Sequence, residues 1–177
     1  MKRFLALLVS VVLVLTAGSA FALDLGDLAD MVGGLESVFG STDDVAYGVN
    51  ERAEINGISV TLTNVMESKG GSEYKPEEGN IFVVCEFEIK NNSDEDLMIS
   101  SMMCFSASFD DKTYAESIEA LGVAMFSGKY QLDTPVEVGE KVNGVVGYEV
   151  PEGWKKMQIR FTPEIYSGDR LVFAASK

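Results

Sequence analysis

GNIFVVCEFEIKNNSDED, residues 79–96, is the densest β-forming run of the chain outside its N-terminal segment, and its reading decides the fold. Ile81, Val83, Cys85, Phe87 and Ile89 share one parity, while Glu86, Glu88 and Lys90 take the other. Strict alternation of this kind marks a strand with one buried face, and the polar run from Asn91 to Asp96 ends it. The other segments are placed relative to this central strand.

Upstream, Arg52 to Ile55, the Asn56-Gly57 pair and Ile58 to Met66 form a hairpin signal, because Asn-Gly supplies the two positive-φ residues of a type I′ turn. Ile58, Val60 and Leu62 line one face. Glu67 to Asn80, with Gly70, Gly71, Pro76 and Gly79, reads as a long loop of the kind that often carries function. Downstream, Leu97 to Phe109 reads as one strand with Ile99, Met103, Phe105, Ala107 and Phe109 on one parity, closed by Asp110-Asp111. Tyr114 to Ser127 has no clean period and reads as an irregular crossover with room for one helical turn.

From Thr134 the pattern sharpens. Val136 and Val138 precede a turn at Gly139-Glu140, and Lys141 to Val150 carries Val142, Val146, Tyr148 and Val150 in phase. Pro151-Glu152-Gly153 ends that strand. Lys156 to Thr162 alternates Met157, Ile159 and Phe161 against polar residues, and Arg170 to Ala175 supplies the last strand. Roughly seven or eight short strands separated by turn signals predict an all-β antiparallel sandwich over residues 45–177.

The N-terminus bears on compartment. Lys2 and Arg3, the apolar run Phe4 to Leu15 and Ala20-Phe21-Ala22 have the layout of a secretory signal, predicting a signal peptide over 1–22 cleaved after Ala22. A retained anchor is the alternative, but the run breaks at Thr16 to Ser19, short of the ~20 apolar residues that span a bilayer. No cysteine lies near the cleavage site to accept a lipid. The expected mature chain has 177 − 22 = 155 residues, and losing Lys2 and Arg3 takes the formal charge from −14 to −16. Such a charge repels phosphate backbones and anionic lipid, which argues against nucleic-acid and membrane-surface partners. In residues 23–44, Leu25, Leu28, Val32, Leu35 and Phe39 recur at helical spacing, predicting a short amphipathic leader interrupted by Gly33-Gly34, followed by a linker.

Several stretches together resemble a widespread bacterial extracellular family. They are Asn56-Gly57 before a Val/Thr strand, Gly79 to Val84, the strand end Lys90 to Asp94, and Val138 to Gly144 leading into Tyr148-Glu149-Val150-Pro151. The resemblance runs from Tyr47 to Ala175 and implies an immunoglobulin-like, telokin-like sandwich, similar in fold to a secreted mycobacterial immunoprotective antigen, with no assigned function. Members of that family are often lipoproteins; this sequence departs from them in lacking the lipid-accepting cysteine. The family offers no catalytic residues to carry over.

Chemistry is sparsely indicated. The chain has no His, which removes the commonest general base and the usual Ser and Cys triads, and no carboxylate pair or Ser-Lys pair stands out by spacing. The expectation is therefore a non-enzyme with no catalytic, cofactor or metal residues to name. The acidic groups Asp43-Asp44, Glu77-Glu78, Asp94-Glu95-Asp96 and Asp110-Asp111 would suit calcium only if loops gathered them; otherwise they are solvated turns. Asn91-Asn92-Ser93 fits a glycosylation sequon, but it sits where a strand ends. Cys85 and Cys104 are an even pair in a chain read as exported, which suggests a bridge, whereas strand parity sets Cys104 opposite to Phe105 and Phe109 unless a bulge turns it inward. Met98, Met102 and Cys104 share that second face, as packing or as a soft Cu(I) site. Two functional classes follow: a module binding an unknown extracellular or envelope protein through sandwich edges and loops, or a small binding domain for a metal ion such as calcium, or for a small ligand.

Overall fold

The computed structural model describes residues 45–164 and 169–177. The expected signal peptide, cleavage site and helical leader, and the Asp43-Asp44 pair, lie outside them. The described elements run, in chain order, β1 (Ala46–Tyr47), β2 (Arg52–Ile55), β3 (Ile58–Ser68), β4 (Asn80–Asn91), β5 (Leu97–Ile99), α1 (Ser101–Cys104), β6 (Phe105–Phe109), β7 (Lys112–Tyr114), α2 (Ile118–Phe126), β8 (Thr134–Val136), β9 (Lys141–Pro151), β10 (Lys156–Phe161) and β11 (Leu171–Ser176).

β4 is an inner strand of a four-stranded sheet of order β2-β3-β4-β9, and every pairing within that sheet is antiparallel. The second large sheet has the order β1-β11-β10-β6-β7, and β5 pairs with β8 in a two-stranded ribbon. The two large sheets face each other across one apolar core. Ile81, Val83, Cys85, Phe87 and Ile89 enter it from β4, opposite Phe105, Ala107 and Phe109 of β6 and Met157, Ile159 and Phe161 of β10. Phe87 sits at its centre, with ring centroids 5.1 Å from Phe105 and 5.4 Å from Phe173. This is the β-sandwich that the alternation predicts.

The β2–β3 hairpin turns on Asn56 at φ 50° and Gly57 at φ 76°, as its sequence demands. A register shift between Leu62 and Asn64 lets Val60 and Leu62 face the core before the shift and Val65 after it.

Four features depart from the sequence reading. There are eleven strands among the described residues rather than seven or eight, because short edge segments pair as well. One pairing is parallel, β1 with β11, so the sandwich is not wholly antiparallel. Leu97 to Phe109 is not one strand. It breaks at the α1 turn, which leaves Met103 exposed and turns Cys104 inward, the role that the sequence reading had given to a bulge. Finally, Tyr114 to Ser127 holds a nine-residue helix rather than an irregular crossover.

Candidate docking groove

α2 lies on the outer surface of the four-stranded sheet. Leu121 and Ala124 pack on Val84 of β4 and Val145 of β9, with Met66 at the margin. Close approach is possible because β9 has Gly147 under the helix: a Cβ there would meet the Ala120 Cβ at 2.9 Å and the Leu121 backbone nitrogen at 3.2 Å. Both helix ends are capped. The Ser117 hydroxyl accepts the Ala120 N–H at 3.2 Å, and at the other end Gly128 (φ 75°) and Lys129 donate to the Met125 and Ala124 carbonyls.

The inward face accounts for only part of the helix's apolar surface. Ile118, Met125 and Phe126, with Tyr130 just beyond the helix, stay between 59% and 78% exposed. The loop between β3 and β4 rises against this end of α2. Tyr74 packs over Gly122, where a Cβ would fall 2.5 Å from the ring, and its ring centroid lies 6.1 Å from that of Phe126. Between them is an open groove of about 300 Å³, with Gly70–Tyr74 on one wall and Val123, Phe126 and Ser127 on the other. The loop wall is tied in place: Gly70 N–H donates to Ser68 Oγ at 3.1 Å and Gly71 N–H to the Tyr74 carbonyl at 2.7 Å. Further along, the Glu149 carboxylate accepts Glu77 N–H at 2.7 Å and Asn80 Nδ2 at 2.9 Å.

This loop is legible in the sequence, whereas α2, its other wall, is not. The missed signal was the cap pair, Ser117 before the apolar run and Gly128 after it.

The sandwich edges offer less than the sequence reading expected of them. β1, β2 and β7 are edge strands of two to four residues. The free side of β9 is covered in part: Val145 and Gly147 bond with the segments at Tyr130–Leu132 and Ser117. Short or shielded edges are poor templates for strand addition.

Most of the acidic groups have structural duties. Asp110 and Asp111, both at positive φ, form the β6–β7 turn, and the Asp110 carboxylate accepts the backbone N–H groups of Lys155 and Lys156 at 2.9–3.2 Å. Asp96 accepts Val138 N–H at 3.0 Å. Asp94, Glu95 and Asp96 also line a second open cavity, of about 590 Å³, together with Pro163 and Glu164. Among the described residues no group of three or more His, Cys, Asp or Glu side chains is placed to hold a metal ion. The Asn91 amide is fully buried and donates to the carbonyls of Glu95 and Val136, so the sequon is a strand terminus.

The cysteines are unbridged. Cys85 points into the core at 3.6 Å from Met157 Sδ, and burial drives its thiol far above the ordinary range. Cys104 is buried behind α1, where burial again raises the thiol and Ser100 N–H donates to its sulfur at 3.5 Å. Met98 and Met102 are 65% and 78% exposed, so they do not share a face with the buried Cys104 sulfur.

One ionisable cluster stands beside the base of α2. Ser101 Oγ lies 2.8 Å from Glu116 Oε2 and 3.2 Å from Asp133 Oδ2, and Gln131 Nε2 donates to Ser101 Oγ at 2.7 Å. Glu116 Oε1 is buried without a partner. Burial, and then the nearby Asp133 charge, push the Glu116 carboxyl above its ordinary value, against the opposing pull of its hydrogen bonds to Ser101 and Gln131.

The sequence profile of the DUF4352 family, a domain of unknown function, matches residues 47–171. The chain belongs to the DUF4352 family. No curated protein matches it. Two solved Bacillus structures share the fold of this DUF4352 domain. The ycdA protein of Bacillus subtilis superposes with a TM-score of 0.58 at 18% identity, over 71% of this chain and 38% of that one. The yjhA protein, also from Bacillus subtilis, gives 0.55 at 17% identity, over 72% of this chain and 97% of the other. MPT63, a secreted protein of Mycobacterium tuberculosis, gives 0.49 at 8% identity over 77% of this chain and all of the other. The DUF4352 chain thus spans well under half of the ycdA protein's length. Among the described residues no helix is long and apolar enough to cross a membrane.

Proposed function

We propose that this DUF4352 protein is a non-enzymatic interaction module that acts outside the cytoplasm by binding another extracellular or envelope protein. The observation that carries the reading is the apolar surface left uncovered on α2 and its flanks, Ile118, Met125, Phe126 and Tyr130, beside a preformed groove. Contiguous exposed apolar groups rimmed by polar ones mark interaction surfaces rather than ordinary solvated faces. The secretory layout of residues 1–22 supports the location, and the lack of any His in the sequence supports a role without turnover. The test is a pull-down from native culture medium and envelope extract with the protein and its Phe126→Asp variant. A protein retained by the former and lost by the latter is the expected result; retention of the same proteins by both removes α2 as the docking surface.

The second reading is a small binding domain built on the acidic 590 Å³ cavity. Thermal unfolding with calcium and with chelator separates the two, since a native-specific ligand at 100 times its dissociation constant adds about 2.7 kcal/mol.

A further inference from the structure

We propose that the groove between the β3–β4 loop and α2 receives a peptide segment of the partner that inserts one apolar or aromatic side chain and flanks it with Lys or Arg. The inference rests on the docking reading above and specifies the chemistry of what docks.

Size sets the first limit. A groove of about 300 Å³ stands at the lower bound of ligand sites, enough for one large side chain with its backbone neighbours. Its aromatic rim, Tyr74 and Phe126 at 6.1 Å, offers ring faces to an apolar anchor. The loop wall is fixed by its own hydrogen bonds, so little ordering entropy opposes binding there.

Charge sets the second. The lysines at the outer ends of the two walls are already engaged, Lys69 with Glu152 at 2.6 Å and Lys129 with Glu86 at 2.5 Å. Among the described residues that line the groove Glu73 alone is charged; beside it on the loop the exposed Lys75 is outnumbered by Glu77 and Glu78, and Glu119 stands on the first turn of α2. Acids around the groove therefore outnumber its unpaired bases, and the whole chain carries −14. A basic flank is attracted to that rim, and its cation can also stack on the exposed Phe126 or Tyr130 ring. The same charge disfavours two other occupants. A second copy brings another −14, and an anionic lipid surface brings the wrong sign.

The test is selection of a displayed random peptide library against the full protein at low and physiological salt. Enriched peptides are then measured by calorimetry and by NMR shift mapping. The expected motif is an aromatic or aliphatic residue flanked by Lys or Arg, with shifts confined to residues 70–74 and 123–127. Phe126→Asp is expected to weaken binding about tenfold or more, the scale of a central anchor contact. Glu73→Lys, on an exposed loop that tolerates it, is expected to weaken binding about three- to fivefold, as for a rim charge pair. Enrichment of acidic or uncharged peptides, shifts elsewhere on the domain, self-association in place of peptide binding, or indifference to Glu73→Lys overturns the inference. A native partner whose retention still depends on Phe126 would leave the docking reading standing in each of those cases. Conversely, a basic motif mapped to the groove, with native partners retained independently of Phe126, would uphold the peptide chemistry of the groove and overturn the docking reading.

Discussion

Cys85 shows how one residue type is settled by its neighbours. Its strand partners are all apolar, so the alternation of β4 places it in the core from sequence alone. Burial then holds the thiol protonated, and a protonated buried thiol is a poor nucleophile. Two free thiols are expected to react with a thiol reagent only after denaturation, and reductant is expected to leave the melting temperature unchanged. A mobility shift on non-reducing gels, or rapid native labelling of Cys85, would contradict this. Cys104 was not legible in the same way, because its inward turn depends on four helical residues hidden inside an apparent alternation.

Glu116 makes one contribution to the pH dependence of stability. Its carboxyl titrates above the ordinary value of 4.5 in the native state, so the folded protein binds more protons than the unfolded chain over that interval. The stabilisation is complete below the ordinary carboxylate value and is lost as pH rises through the native one. Glu116→Gln keeps an acceptor for the Ser101 hydroxyl and removes the charge, so it should raise the melting temperature near neutral pH and flatten the slope above the ordinary carboxylate value. Glu116 is half-solvated, which keeps the gain below about 1 kcal/mol. An unchanged pH profile in the variant would refute the assignment.

At the scale of elements, the long strands were legible and the short ones were not. β10 buries alternate side chains throughout and β3, β4 and β9 do so over part of their length, a period written in their composition, while residues 81–85 of β4 and 144–148 of β9 are buried without a break where α2 covers the sheet. β1 holds two residues and pairs with β11, more than 120 positions away, which no local pattern encodes. α2 escaped because IEALGVAMF, Glu119 apart, is apolar all round and shows no stripe. Half of the candidate groove was therefore visible, as the glycine-bearing loop, and the other half was not. The helix–sheet contact makes its own prediction. Gly147→Ala sets a methyl against Ala120 Cβ and the helix backbone, neither of which can swing aside, and should cost about 1–3 kcal/mol. Gly71→Ala faces open space at an unstrained backbone angle and should be nearly neutral. Equal melting temperatures for the two variants would mean that α2 does not seat on β9 as described.

For the whole molecule the governing quantity is charge. The sequence has 28 acidic and 14 basic side chains, so even with every base paired, 28 − 14 = 14 acids keep no basic partner. Many of the pairs that do form are at the surface: Lys69–Glu152 and Arg52–Glu54 join side chains half or more exposed, and such pairs contribute little. Unpaired like charges on a folded surface repel, and unfolding relieves that repulsion. Added salt screens both effects, shortening electrostatic reach from about 30 Å at 0.01 M to about 8 Å at 0.15 M. Because repulsive pairs outnumber attractive ones, the net effect should favour the folded state. The melting temperature at neutral pH should rise on going from 0.01 to 0.15 M sodium chloride, and the rise should shrink as pH approaches the isoelectric point near 4.3. A melting temperature that falls with salt would show that the ion pairs, led by the half-buried Lys129–Glu86 contact at 2.5 Å, outweigh the acidic excess. Lys129→Met then decides between the two, since it deletes that pair while adding to the excess: a fall that disappears in the variant locates the salt-sensitive stability at the foot of α2, and one that persists spreads it over the remaining pairs.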